Sequence, residues 1–397
     1  MTDLIEAARV DSFLEDLAES MPTEEVALES ASGRVLREPI VADRDLPPFD
    51  RVMMDGYAIR HTDLKTTNRF TVKGSAFAGR PRQTLPSDTG AALEVMTGSP
   101  LPEQADCVIP FEATLREKDT FHLCGDPQPE PGQFIHRRGS DFPAGTCLVK
   151  AGSVLRSIET GIAASCGLER IEVSRQPRLA IFGTGDELVP VAATPAPHQI
   201  RRSNAQALAS LLARAHGLCP SVDHLADNPK GERSKLEAAT RSADVLILSG
   251  AVSKGRLDWI PPVLDDLGTC LFHGVSQRPG KPMGVWKAST GAVIFALPGN
   301  PVSTLVCAHR YVLPFLKRLF GLNPQTAPVR LLQPFAFARP LTLFLPVRRS
   351  GTDGAIPCPV NNSGDFASLA GTDGFVELAS NENHWTTGTE LHFTPWI

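Results

Sequence analysis

Four strings beyond residue 180 carry residue types that handle anions and metal ions. In Leu297-Pro298-Gly299-Asn300-Pro301-Val302-Ser303, Asn300 suits an N-cap and Pro301 the first turn of a helix. The free N–H groups of that turn and the helix dipole would face an anion, although an ordinary strand-to-helix turn reads the same way. Leu248-Ser249-Gly250-Ala251-Val252-Ser253-Lys254-Gly255 is a second small-residue loop, of the kind that lets backbone approach a phosphate. Asp258 follows it, either as a ligand for magnesium bridging to phosphate or as a first-turn Asp stabilising its own helix. Gln277-Arg278-Pro279-Gly280-Lys281-Pro282 sets two cations three residues apart on a proline-stiffened turn. They suit a small dianion, or form a solvated basic turn. Gly183-Thr184-Gly185-Asp186-Glu187-Leu188 fits neither GxGxxG nor the P-loop. Its acidic pair could ligate a metal, act as a general base, or simply be solvated.

The first half offers Phe49-Asp50-Arg51-Val52-Met53-Met54-Asp55-Gly56-Tyr57-Ala58, then Met96-Thr97-Gly98-Ser99-Pro100 and Arg137-Arg138-Gly139-Ser140-Asp141. Asp-Gly and Thr-Gly are routine turn dipeptides, and Met53 and Met54 read as core fillers.

The elements that must position these strings follow from periodicity. Residues 4–20 have apolar positions at helical spacing. From about Val26 to Ile171, short β-branched runs alternate with Gly/Pro turns, which predicts a largely β region. From Pro177, strands at 178–182, 245–248, 270–275 and 292–296 alternate with helices capped at Ser203, spanning 229–242 and starting near Asn300. That alternation predicts an open, mostly parallel sheet whose ligand crevice lies beyond the strands' carboxyl ends. Residues 322–397 return to short strands. The expected domains are 1–176, 177–322 and 323–397.

A chain of 397 residues suggests two to four domains. Its net charge of −5 gives no reason to expect a broad nucleic-acid or membrane surface. The acidic start, Met1 to Glu6, and apolar runs of only strand length argue against a secretory signal or membrane span, so a cytoplasmic location is expected. Eight scattered cysteines include no CxxC pair and read as reduced, mostly buried thiols.

Read in order, Phe49–Tyr57, Met96–Asp106, Arg137–Asp141, Gly183–Leu188, Ser249–Asp258, Pro279–Pro282 and Pro298–Ser303 resemble the MoeA family, the molybdopterin molybdenumtransferases, to which the gephyrin E domain is related. MDGYA, MTG-x-P-x-P, TGDEL and PGNPVS in this order make a specific signature over essentially the whole chain. The resemblance implies a multidomain α/β chain: a β-rich N-terminal region, a MogA/MoeA-type molybdopterin-binding domain and a small C-terminal β domain. It implies a magnesium-dependent transferase that inserts molybdenum from molybdate into adenylylated molybdopterin, releasing AMP. The implied assembly is a homodimer with each site shared between subunits. Molybdopterin adenylyltransferase and molybdoenzyme-maturation proteins are candidate partners; nucleic acid and membrane are not.

Carried over residue by residue, Ser253, Lys281, Pro282 and Ser303 match positions around the molybdate pocket, with Gly250, Arg278, Pro298, Gly299 and Asn300 in the same strings. Glu187, Asp227 and Asp258 match acidic positions linked to the nucleotide phosphate and metal, Glu187 and Asp258 being the expected metal ligands. Asp55, Thr97 and Asp141 match what the partner's β domain contributes. The chain departs from the family at Arg51-Val52-Met53 (usually Asn-Ser-Ala), Ala251 (Gly), Lys254 (apolar), Arg278 (Lys) and Pro346 (Arg). Two alternatives are a scaffold that has lost turnover and a molybdopterin adenylyltransferase. Retention of Asp55, Glu187, Asp258 and Lys281 favours the transferase over the first, and the β-rich half argues against the second.

Overall fold

The computed structural model describes residues 4–125, 129–252, 258–323 and 327–397. They divide into two compact units, one of Val26–Ser32 with Leu36–Ile171 and the other of the remaining described residues. The first helix, α1 (Ala7–Leu17), belongs to the second unit and buries Ala7, Val10 and Leu14 at helical spacing. It starts later than the pattern suggests because Ile5 is extended, its N–H donating to Gly274 O at 3.2 Å.

The first unit is built on β1 (Gly56–Ile59), β2 (Arg69–Ala76), β3 (Ala91–Val95), β4 (Cys107–Pro110), β5 (Thr114–Glu117) and β6 (Thr120–Leu123), in sheet order β4-β1-β3-β2-β6-β5. Every residue of β1 is buried, because alternate side chains enter different cores. Ala58 joins one cluster, while Tyr57 and Ile59 join the other, where Tyr57 stacks on Phe121 at 4.0 Å. The region also holds a helix absent from the sequence reading, α2 (Ser157–Ser165), whose Glu159 carboxylate accepts the Arg156 N–H at 2.9 Å. Met53 and Met54 are exposed, not core fillers: they sit in the turn before β1, which leaves them no neighbouring sheet face to fill.

In the second unit, β7 (Leu179–Thr184), α3 (Ser203–His216), β8 (Ser221–Leu225), α4 (Pro229–Ser242), β9 (Val245–Ser249) and α5 (Ile260–Leu267) alternate, although the periodicity predicts neither β8, whose residues form no apolar run, nor α5. They continue into β10 (Gly268–His273), β11 (Gln277–Arg278), β12 (Gly284–Ala288), β13 (Val293–Leu297), α6 (Pro301–Cys307) and α7 (Leu313–Leu319). The sheet order is β8-β7-β9-β13-β12-β10. The first four strands are parallel, β12 runs antiparallel to β13, and β10, antiparallel to β12, points the same way as the first four. Only Ser289–Ala292 connects β12 to β13, too short for the crossover a parallel pair requires. Five further strands, β14 (Pro328–Leu331), β15 (Thr342–Ser350), β16 (Gly354–Pro357), β17 (Gly374–Leu378) and β18 (Glu390–Pro395), close into a ring through the β15–β17 pairing. Strand β11 lies not in the α/β sheet but parallel to β15, with Arg278 opposite Leu343.

Between α6 and α7 the helix widens into a π turn at Ala308–Val312. Pro314, which has no N–H to return to the preceding turn, follows at once. Inside that turn, Arg310 donates two hydrogen bonds to Asp11 of α1 (2.7 and 2.8 Å) and one to Glu377 of β17 (2.8 Å). All eight cysteines are free thiols, but only Cys107, Cys166 and Cys307 are buried, fewer than expected. Most of the others sit at exposed turns or edge-strand positions. No described helix is long and apolar enough to cross a membrane.

Arg310→Ala is expected to lower the unfolding free energy by about 3 kcal/mol, because it strands two partly buried carboxylates without their cation. Asp11→Asn should cost less, since Glu377 still pairs with the guanidinium. Denaturant melts of both variants check the order; an Arg310→Ala melt matching the parent would show that the pairs contribute nothing.

Candidate active site

Within the second unit, a cavity of about 550 Å³ opens at the carboxyl ends of β7, β9 and β13. The loop after each strand forms part of its wall: Gly183, Thr184 and Glu187 from the first, Gly250 to Val252 and then Asp258 from the second, Pro298 to Asn300 from the third. The sequence therefore placed three of its four candidate strings on one crevice. Of the fourth, Pro282 lines it.

Close backbone approach builds this wall. Gly250 lies at φ +106°, where a Cβ would sit 2.5 Å from Thr184 Oγ1 and 2.9 Å from Thr184 O. Its N–H donates to Leu297 O at 3.0 Å, which joins the second loop to the third. Ala251 also has a positive φ, +50°, at the position where the family usually has glycine. The stitch between loops is a residue the sequence reading passed over. Asn204, in the first turn of α3, points Nδ2 at Ser249 Oγ (2.9 Å), Gly299 O (2.7 Å) and Thr304 Oγ1 (3.1 Å). The signal was available as a polar pair, Ser203-Asn204, opening a helix behind a strand of a mostly parallel sheet. Ser203 does not cap that helix; Arg202 holds the cap position, and no side chain bonds there. Arg201 and Arg202 line the cavity and were likewise passed over.

The remaining candidates are placed unevenly. Asp227 is outside the wall: it accepts the Asp186 N–H at 3.2 Å while its own N–H donates to Asp186 Oδ1 at 3.0 Å, pinning two loops together. Asn300 holds the N-cap position of α6, but its amide turns to Ser363 Oγ at 2.8 Å. Ser303 is buried in α6. Ser253 and Lys254 lie outside the described residues.

Arg278 and Lys281 are exposed and do not line the cavity; the Arg278 guanidinium lies 6.0 Å from the Phe337 ring centre. Their turn is rigidly seated nonetheless. Buried Gln277 donates to Gly280 O (3.2 Å) and Cys307 Sγ (3.5 Å), and accepts the Tyr311 hydroxyl. A Cβ on Gly280, at φ +97°, would fall 2.5 Å from Cys307 Sγ. Burial pushes the Cys307 thiol up to about 12, which leaves it a packing group.

The first unit carries Asp55, Thr97 and Asp141. Asp55 Oδ1 accepts both the N–H and the hydroxyl of Thr97, each at 2.7 Å. These two donors, the amide first, hold the carboxyl below its ordinary value of 3.8. Asp141 takes a hydrogen bond from His136 Nε2 at 2.8 Å, and His136 Nδ1 lies 2.9 Å from Arg51 Nη2. A guanidinium can only donate, so Nδ1 accepts and the proton on Nε2 faces Asp141. Arg51, a departure from the family pattern, thus fixes the imidazole behind Asp141. The turn between them is held by Asp50, which accepts from Arg137 Nη1 (2.8 Å) and Arg138 N (2.9 Å).

A mixed α/β sheet with a carboxylate-bearing cavity at its carboxyl edge defines an α/β ligand-binding protein, and comparison with known proteins makes the class specific. Residues 5–167 match the model of the MoeA N-terminal region (domain I and II), 180–318 that of a "probable molybdopterin binding domain", and 328–396 that of the MoeA C-terminal region (domain IV). A molybdopterin molybdenumtransferase from Synechocystis sp. is 41% identical over 379 residues, 93% of this chain and 94% of that one. Two structures of the molybdopterin biosynthesis MoeA protein from Pyrococcus horikoshii superpose with TM-scores of 0.83 and 0.82. They are 30% and 26% identical, and cover 100% and 99% of this chain and all of theirs. The chain belongs to the MoeA family of molybdopterin molybdenumtransferases.

The depressed Asp55 carboxyl makes a pH prediction. A lowered folded-state value gives a stabilisation that is complete above the ordinary 3.8 and is lost as pH falls through the lowered value. Thr97→Val removes the hydroxyl donor and keeps the amide, so Asp55 should titrate higher than in the parent while staying below 3.8. A carboxyl-carbon NMR titration reads this directly; an unchanged midpoint would show that the hydroxyl contributes nothing.

Proposed function

We propose that the chain transfers molybdenum from molybdate to adenylylated molybdopterin, releasing AMP and the finished molybdenum cofactor, as a cytoplasmic homodimer. The observation that carries this reading is the meeting of the TGDEL, Ser249–Val252 and PGNP segments on one cavity with Glu187 and Asp258 in its wall.

Among the described residues no three His, Cys, Asp or Glu side chains gather into a self-sufficient metal site. Two carboxylates in a cavity wall nevertheless fit magnesium, which keeps waters and takes substrate phosphate oxygens as its other ligands. Glu187 and Asp258 are the residues to hold it, and when bound it neutralises charge on the phosphoanhydride. Pro298, Gly299 and Gly250 keep backbone close to the bound substrate. Asp227 acts indirectly, by fixing Asp186 and through it the loop that carries Glu187. Lys281 and Arg278 supply the positive charge for molybdate, with Pro282 linking their turn to the cavity wall and Ser253 and Ser303 completing the family's set. Asp55, Thr97 and Asp141 serve the site of the second copy of the chain. The resemblance supports that sharing, and the retained Asp55–Thr97 pair gives a fixed carboxylate to contribute.

The deciding experiment incubates the purified protein with adenylylated molybdopterin, magnesium and molybdate, and measures AMP and bound molybdenum together. Both should rise in step. AMP without molybdenum insertion, or neither product, would overturn the reading.

Two variants refine it. Asp258→Asn is expected to keep the fold and lose magnesium-dependent AMP release by at least tenfold; undiminished release would remove Asp258 from the mechanism. Asp55→Ala and Lys281→Ala proteins, each inactive alone, should regain part of the activity when mixed under subunit exchange. A mixed dimer retains one site with both residues intact. No recovery after demonstrated exchange would sink the shared site.

A further inference from the structure

Several arginines of the second unit, from the largely buried Arg310 to the exposed Arg178, have an anion. Arg175 and Arg178 share Asp244, and Arg310 takes Asp11 and Glu377. Arg202 differs. It lines the cavity and is partly buried, its Nε is shut off from solvent without a hydrogen-bond partner, and among the described residues it forms no ion pair. A guanidinium nitrogen withdrawn from water with nothing to bond is unfavourable until an acceptor arrives. Arg201, beside it in the same wall, donates among the described residues only from its Nε, to Ala193 O at 3.2 Å.

The backbone holds both arginines in place. Ile200–Arg201 pairs in parallel with Leu188–Val189; Ile200 N–H donates to Glu187 O at 2.9 Å and Arg202 N–H to Val189 O at 3.0 Å. One two-strand ladder therefore presents Glu187 at the head of one strand and two guanidinium groups at the end of the other. We infer that Arg202, aided by Arg201, is an anion site within this cavity that takes a diphosphate, the phosphoanhydride of the nucleotide-bearing substrate.

Three features select a diphosphate over a simple oxyanion. Guanidinium forks match paired phosphate oxygens, and two adjacent forks match two phosphates. The acidic residues of the same wall suit a cation bridging to those oxygens, which a bare arginine pocket would lack. The cavity, at about 550 Å³, has room for a ligand of nucleotide size. The first turn of α3, which no side chain caps, begins directly after Arg202 and adds N–H donors to the same place. That the anhydride belongs to adenylylated molybdopterin rests on the molybdenum-transfer reading; that the site takes a diphosphate does not.

The test is calorimetric titration of the full-length protein with inorganic pyrophosphate, with and without magnesium. The parent should bind. Arg202→Gln should weaken binding about tenfold or more, the loss expected for a charge-assisted hydrogen bond. Arg202→Lys, which keeps charge without the fork, should fall between the two. Arg330→Gln removes an exposed arginine of β14 and controls for net charge. No binding by the parent, parental affinity in Arg202→Gln, or an equal loss in Arg330→Gln would each overturn the assignment. Should Arg202→Gln fail to fold, Arg201→Gln is read against the same control, with parental affinity again counting against the site. Pyrophosphate binding that survives while adenylylated molybdopterin yields no AMP would sink the transfer reading and leave this one standing.

Discussion

Much of the cavity depends on one amide. Asn204 Nδ2 shares two hydrogens among Ser249 Oγ, Gly299 O and Thr304 Oγ1, oxygens of the second loop, the third loop and α6. Around it the spacing is set by backbone: Gly250 is pressed against Thr184 on one side and bonded to Leu297 O on the other. Three loops that would otherwise sample many conformations are held by a few short polar contacts over buried strands. Such preorganisation is what charge stabilisation in a site requires, since donors already aimed need not reorganise during reaction.

The charged side chains of the second unit fall into two groups. Where an ion pair holds elements together it is complete: Arg310 with Asp11 and Glu377, Arg175 and Arg178 with Asp244. Buried unpaired charge is costly, so structural ions come with partners. In the cavity wall Arg202 forms no ion pair among the described residues, and the Arg278–Lys281 turn keeps its cations exposed while Gln277 and Tyr311 anchor it from beneath. The turn is thus rigid on its buried side and open on its charged side, an arrangement suited to binding an anion without rearrangement.

In the first unit the same economy takes a different form. The carboxylates of Asp50, Asp55 and Asp141 each receive hydrogen bonds, but from different donor types: arginines, a threonine and a histidine. The Arg51–His136–Asp141 line shows how a departure from the family pattern can be absorbed. An arginine where asparagine is usual becomes a donor to the imidazole, leaving the ring to donate to Asp141.

Several features were settled by the sequence alone. Apolar runs of strand length specified β7, β9 and β13, because burial on both sheet faces demands continuous apolar residues, and helical periods specified α3 and α4. Turn residues after those strands located three wall loops before any coordinates. Other features were decided only in three dimensions. The reversal of β12 follows from a connection length that periodicity does not report. The transfer of β11 to the neighbouring ring followed from backbone pairing, which any extended pair of residues can satisfy. Asn204, Arg201 and Arg202 carried no motif, and their place in the wall depends on where α3 begins in space. Met53 and Met54 looked like core residues because hydrophobicity is a composition, whereas burial is a matter of which neighbours the fold supplies. Residue type constrains what a side chain can do, and the packing of elements distant in sequence decides whether it is placed to do it.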